Sequence, residues 1–223
     1  MVKPILILFD VNETLLDLSP LRSSVSRALN GRENLLPLWF STMLHYSLVE
    51  TLTNDFHSFG EIGAAALMMI AQTHQIELSR EDAEAAIIPS LNTLPPHPEV
   101  IAAMEALQQN GYKLATLTNS SSAGAESQLR QAGIAPLLDN SYSVESVRKY
   151  KPHSGVYRMV LDDLALEPEQ VLMVAAHAWD LAGAKNVGLQ TAFIQRPGTA
   201  LYPNTARPDY VLRDLTELAQ RLA

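Results

Sequence analysis

A Rossmann-like α/β fold, with a parallel sheet core and a helical cap inserted after its first strand, is predicted by three features of the 223-residue sequence. The first is the run Ile5-Leu6-Ile7-Leu8-Phe9, which stops at Asp10-Val11-Asn12-Glu13-Thr14. A short apolar run ending in a carboxylate and a hydroxyl reads as a buried parallel strand. It delivers Asp10 to the carboxyl edge of the sheet, where open α/β sheets bind their ligands. The second feature is strand–helix alternation from residue 98 onward, which implies parallel strands joined by right-handed crossovers. The third is the stretch of about 100 residues from Asp10 to the next strand, where an ordinary βαβ unit needs only about 30.

Each element carries its own signal. Residues 20–29, 36–49 and 59–75 place apolar side chains at helical spacing. They are expected to form a cap over residues 15–94, closed by Pro95-Pro96-His97-Pro98, with the core domain made of residues 1–14 and 95–223. Over the carboxyl edge of the sheet, such a cap excludes water and shapes specificity. A helix over 98–110 stops at Gly111 before a strand over 112–117, and a helix over 122–132 ends at Gly133, a residue suited to the C′ position. Strands follow near 141–144, 171–175, 191–195 and 210–212, interleaved with helices over 156–164 and 179–187.

Composition narrows the function. Hydrophobic residues make up 47% and charged residues 18%, ordinary for a globular chain with a full core. A formal net charge of −8 argues against nucleic acid or an anionic membrane as partner, while leaving room for a local positive pocket that takes a small anion. The absence of cysteine removes disulfides, thiol nucleophiles and Cys-ligated zinc. The longest uncharged apolar stretch, residues 62–71, falls well short of the roughly 20 needed to span a bilayer, so a cytoplasmic protein is expected.

Four groups of chemistry-bearing residues fall at predicted strand ends: Asp10 with Thr14; Thr118-Asn119-Ser120; Lys151; and His177-Ala178-Trp179-Asp180. Taken singly, each has an ordinary explanation, such as a helix-capping Asp, a strand-ending Thr or a surface Lys. Together, in this order and topology, they resemble the haloacid dehalogenase superfamily over essentially the whole chain. The resemblance implies that Asp10 is a carboxylate nucleophile forming a covalent ester. Lys151 would hold Asp10 ionised and attract an anionic substrate. Asp180 would pair with Lys151 and orient or activate the hydrolytic water. Asn12, Thr118 and Asn119 would contact substrate, the last two as donors beside a helix N-terminus at Ser121 and Ser122.

Two positions separate the chain from the magnesium-dependent phosphatases of that superfamily. Their second acid, two residues after the nucleophile, is here Asn12, which cannot supply general acid catalysis worth on the order of 10²–10⁴ in rate. Where they place a metal-ligating Asp, this chain has Ala176. A halide leaving group needs neither. Asp10-Val11-Asn12-Glu13-Thr14-Leu15-Leu16 and Ala175-Ala176-His177-Ala178-Trp179-Asp180 are similar to the type II 2-haloacid dehalogenases. The resemblance implies a small anionic 2-haloacid as substrate, no cofactor or metal, and a homodimer.

Other positions depart from that family. Ser41 stands where a cap arginine would receive halide, and no Lys or Arg occurs from Glu33 to Ser79. Arg22 and Arg32 are the cations nearest the cap in sequence and are candidates for a substrate carboxylate. His45 is a second candidate in place of the missing arginine. His177 replaces a water-orienting asparagine, Ala175 replaces a serine, and Asn12 replaces an aromatic. Trp179 either contacts substrate or packs cap against core. Phe40, Met43, Phe56, Phe59, Met68 and Met69 either line an apolar pocket or form the cap's interior. Two alternatives stay open from sequence: a magnesium-dependent phosphatase, and a binding protein that has kept the fold and lost turnover.

Overall fold

The computed structural model describes residues 2–223. Its core is a six-stranded, all-parallel sheet in the order β3-β2-β1-β4-β5-β6. The strands are β1 (Leu6–Phe9), β2 (Lys113–Thr118), β3 (Asn140–Ser143), β4 (Val171–Ala175), β5 (Gln190–Ile194) and β6 (Tyr210–Leu212). All four β1 residues are buried, as are all of β4 and β5, which accounts for continuous apolar runs in place of alternation. The chain winds outward from β1 through β2 to β3, then returns to start β4 on the other flank of β1. That reversal makes the carboxyl ends of β1 and β4 the switch point of the sheet, where Asp10 follows Phe9 beside the end of β4 and its N–H donates to the Val174 carbonyl at 3.0 Å.

Between β1 and the helix α5 (Val100–Gln109) lie α1 (Ser19–Ala28), α2 (Leu36–Thr53), α3 (Phe59–Thr73) and α4 (Arg80–Asn92), which pack chiefly on one another. A capping box between Ser58 and Glu61 starts α3, and Ser79 caps α4 through the Asp82 N–H. Trp39 and Met43 of α2 are buried against α3, where the Trp39 indole donates to the Gly63 carbonyl at 2.9 Å. Helix α4 was not expected from sequence. It has no pronounced apolar face and carries Pro89 inside it, and it is held by packing on α1 and α3.

The remaining helices are α6 (Ser122–Gln131), α7 (Ser154–Leu164), α8 (Ala178–Val187) and α9 (Leu215–Arg221), the last also unexpected. The C-terminal end of α2 is tied to the loop that carries Lys151. The Tyr150 N–H donates to Thr51 Oγ1 at 2.9 Å, Lys149 Nζ reaches the Thr51 carbonyl at 2.8 Å, and the Tyr150 ring stacks on Phe56. Gly183 of α8 admits no side chain, since a Cβ there would lie 2.5 Å from Pro152 and 2.7 Å from the Tyr157 hydroxyl. That close approach presses the Lys151 loop and α7 onto α8. Among the described residues, no helix is long and apolar enough to cross a membrane.

Candidate active site

The groups predicted at separate strand ends converge on one ammonium. Lys151 Nζ donates to Asp10 Oδ1 at 2.8 Å, to Asp180 Oδ2 at 2.6 Å and to the Leu117 carbonyl at 2.9 Å. All three of its N–H donors are thereby used. Lys151 is 1% exposed and Asp180 0%, so these charges are removed from water and depend on one another. Asn119 Oδ1 accepts from the Lys151 backbone N–H at 3.1 Å and fixes that loop.

Thr14 serves as a strut. Its hydroxyl donates to Asp10 Oδ2 at 2.7 Å and accepts from the Ala176 N–H at 2.9 Å, joining the turn after β1 to the end of β4. Behind it, the buried Arg196 donates to the Thr14 carbonyl and pairs with Glu99 at 2.7 Å. Burial alone would push Asp10 up. The Lys151 ammonium, with His177 adding to it, outweighs that effect and holds the carboxyl well below the usual carboxylate range. Asp180 moves the other way: burial and the nearby Asp10 charge outweigh Lys151 and raise it.

His177 links Asp10 to Glu13. Its Nε2 lies 2.8 Å from Glu13 Oε2, and its Nδ1 lies 3.5 Å from Asp10 Oδ2, a charge contact rather than a hydrogen bond. The ring stacks between Phe40 of α2, at 6.1 Å, and Trp179, at 5.1 Å. Glu13 takes a left-handed backbone, φ 67°, strained for a side-chain-bearing residue, and also pairs with Arg22. Burial disfavours the imidazolium, but the close carboxylates of Asp10 and Glu13 outweigh it and raise His177 to about 9.

A raised histidine stabilises the fold fully below its ordinary value of 6.5, and the contribution is lost as pH climbs through about 9. Thermal unfolding is therefore expected to show a loss of about 3 kcal/mol between neutral pH and pH 10. A flat profile over that range in His177→Gln would confirm the source. An equally steep one in the variant would contradict it.

A cleft of about 830 Å³ opens beside this cluster, with Glu13, Arg22, Phe40, Ser41, His177 and Trp179 among its walls. Asp10 is not among them; it is 4% exposed and lies next to His177. Ser41 is exposed on the cleft, whereas neither His45 nor Arg32 lines it, and Arg32 instead donates to the His74 carbonyl. Thr118 is fully buried, its hydroxyl accepting from the Ser120 N–H at 3.1 Å. Asn12 donates to Ser120 Oγ at 3.2 Å and accepts from Gln128 at 3.0 Å, so it braces the β1 turn against α6. Of the cap's apolar residues, Met43 and Phe59 are buried, Phe40 faces the cleft and Met69 is 39% exposed.

Tyr157 was not anticipated. Its hydroxyl donates to Asp180 Oδ1 at 2.6 Å and also contacts the Asp180 carbonyl at 2.9 Å. In sequence it sits among Val156, Val160 and Leu161 and looks like core. The available signal is that a buried tyrosine hydroxyl needs a partner. Tyr157→Phe is expected to cost about 1–3 kcal/mol in denaturant unfolding and to lower turnover. Unchanged stability would show the bond to be dispensable.

The sequence profile of the haloacid dehalogenase-like hydrolases matches residues 6–188, and the chain belongs to that family. Among its relatives, (S)-2-haloacid dehalogenase 1 of Pseudomonas sp. (strain CBS-3) is 29% identical, covering 96% of this chain and 94% of its own. Haloacetate dehalogenase H-2 of Moraxella sp. (strain B) is 28% identical over 97% of both. A solved dehalogenase with an intermediate complex superposes with a TM-score of 0.89 at 28% identity, covering 100% of this chain and 99% of that one.

Proposed function

We propose that the protein hydrolyses the carbon–halogen bond of a small 2-haloacid through an ester on Asp10, without a metal. The observation that carries the reading is a carboxylate kept ionised by a buried, fully engaged Lys151 at 2.8 Å, beside a cleft that takes a small molecule. The carboxylate attacks C2; the new C–O bond forms as the C–X bond breaks, and halide leaves with the bonding pair. Water then adds to the Asp10 carbonyl carbon, the acyl C–O bond breaks, and a 2-hydroxy acid departs as Asp10 is regenerated. The similarity to proteins named (S)-2-haloacid dehalogenase and haloacetate dehalogenase supports this substrate class.

Asn12 and Ala176 favour a halide over a phosphate. The Asn12 amide is committed to Ser120 and Gln128 and donates no proton to an alkoxide, and Ala176 has no side-chain oxygen to offer a cation. Arg22, at the cleft wall, is the cation placed to meet a substrate carboxylate. Incubation with a panel of 2-haloacids in the presence of chelator is expected to release halide. Activity only on phosphate esters, and only with magnesium, would reject the reading. Exposed Leu38, Leu48 and Leu52 on α2, the last 82% exposed, support a homodimer joined through the cap. Sedimentation as a 24.5 kDa particle would count against the dimer.

A further inference from the structure

Resting on the ester mechanism just proposed, we infer that His177 is the base that takes the proton of the hydrolytic water, and that alkylation of Asp10 is what releases it for that task. Asp180 is poorly placed for the role. It is 0% exposed, one carboxylate oxygen accepts from Lys151 at 2.6 Å and the other from Tyr157 at 2.6 Å. His177 differs on each count. It lines the cleft, and its buried Nδ1 has no hydrogen-bond partner among the described residues while lying 3.5 Å from the Asp10 carboxyl. An unpartnered buried ring nitrogen is costly to keep and needs an explanation. A water bound during one half of the cycle supplies it.

The charges around the ring set the timing. Facing it are Asp10 and Glu13 from the turn after β1, with Arg22 of α1 behind Glu13 and Lys151 beyond Asp10. Phe40 and Trp179 cover the ring faces and bring no charge. In the free enzyme two carboxylates hold His177 as the cation. Ester formation neutralises Asp10 and removes one of them, leaving Glu13 already balanced by Arg22. The imidazole then gives its proton to solvent through the cleft and presents a free Nδ1 to water.

In the step itself, water oxygen bonds to the Asp10 carbonyl carbon and one water proton moves to Nδ1. As the tetrahedral adduct collapses, the alkoxide leaves and takes that proton, and the Asp10 carboxylic acid then ionises. Glu13 holds the ring through Nε2 and so fixes which nitrogen faces the ester. The strained backbone at Glu13 is consistent with a residue kept for this contact.

The test is His177→Phe, which keeps a ring beside Phe40 and Trp179 and removes both nitrogens, mixed with excess 2-chloropropionate and read by halide release and by intact-protein mass after acid quench. The expected result is a burst of one halide per chain, a protein heavier by the alkyl group at Asp10, and hydrolysis slowed by at least about 100-fold. In wild type the hydrolysis rate is expected to rise with pH, and the variant should lose that dependence. Wild-type turnover with an unchanged pH profile in His177→Phe would overturn the inference and leave the dehalogenase reading standing. Ester build-up in Asp180→Asn but not in His177→Phe would do the same. No halide from the wild-type protein with any 2-haloacid would overturn both.

Discussion

Replacing Asp10 with asparagine is expected to lower halide release by at least about 10⁴-fold, the scale seen when a covalent nucleophile is removed. The side chain keeps its size, and an amide oxygen can still accept from Lys151 or Thr14, which bond the two carboxylate oxygens at 2.8 and 2.7 Å. The fold should therefore survive, with a circular dichroism spectrum and cooperative unfolding like those of the wild type. What is lost is the negative charge and the nucleophilic lone pair. His177 loses one of the two carboxylates that raise it, so its pKa should fall in the variant. Near-normal turnover in Asp10→Asn would rule out an ester at this residue.

Lys151→Ala carries the second large effect, and here both activity and stability are expected to fall. The wild-type ammonium sits between two buried carboxylates, Asp10 and Asp180. Without it, those groups face one another with no cation between them, and breaking a buried pair costs about 3–5 kcal/mol. The carboxylates answer by holding protons. Asp10, kept low by Lys151 in the wild type, should rise, so the acid limb of any residual activity moves to higher pH. Anionic competitive inhibitors should bind more weakly. A variant with wild-type stability, unchanged inhibitor affinity and an unmoved acid limb would remove Lys151 from the site.

The parts of this molecule that were legible in the sequence are those fixed by periodicity and position. Buried parallel strands leave continuous apolar runs, so β1, β4 and β5 stood out. Glycines and prolines marked the joints, and the long gap after β1 announced the cap. Asp10, Thr14, Lys151 and Asp180 could be placed together because parallel strands deliver their last residues to one edge. Hidden elements had weak local signals. Helix α4 contains Pro89 and depends on its neighbours, and α9 spans only seven residues.

Side-chain roles inside the site were harder to read. Thr118, Asn119 and Asn12 looked like substrate donors because of where their strands end. The structure adds bracing contacts that strand position does not reveal: Asn119 Oδ1 to the Lys151 N–H and Asn12 to Gln128 join residues far apart in sequence, and the Thr118 hydroxyl accepts from the Ser120 N–H. Glu13 was passed over because nothing local shows that its backbone turns to φ 67° and swings its carboxylate to His177. Tyr157 was passed over because its helix face is apolar. In both cases the partner belongs to a different strand end, and only the assembled sheet brings it near.

The central claim is that Asp10, and not water, first bonds to the substrate carbon. A single turnover in ¹⁸O-enriched water, with enzyme in excess over a 2-haloacid, tests it most directly. The mechanism predicts that the hydroxy acid carries unlabelled oxygen donated by Asp10, while the label appears in the peptide containing that residue. Label found in the hydroxy acid, with the Asp10 peptide unchanged, would mean that water attacks the carbon directly and would contradict the account.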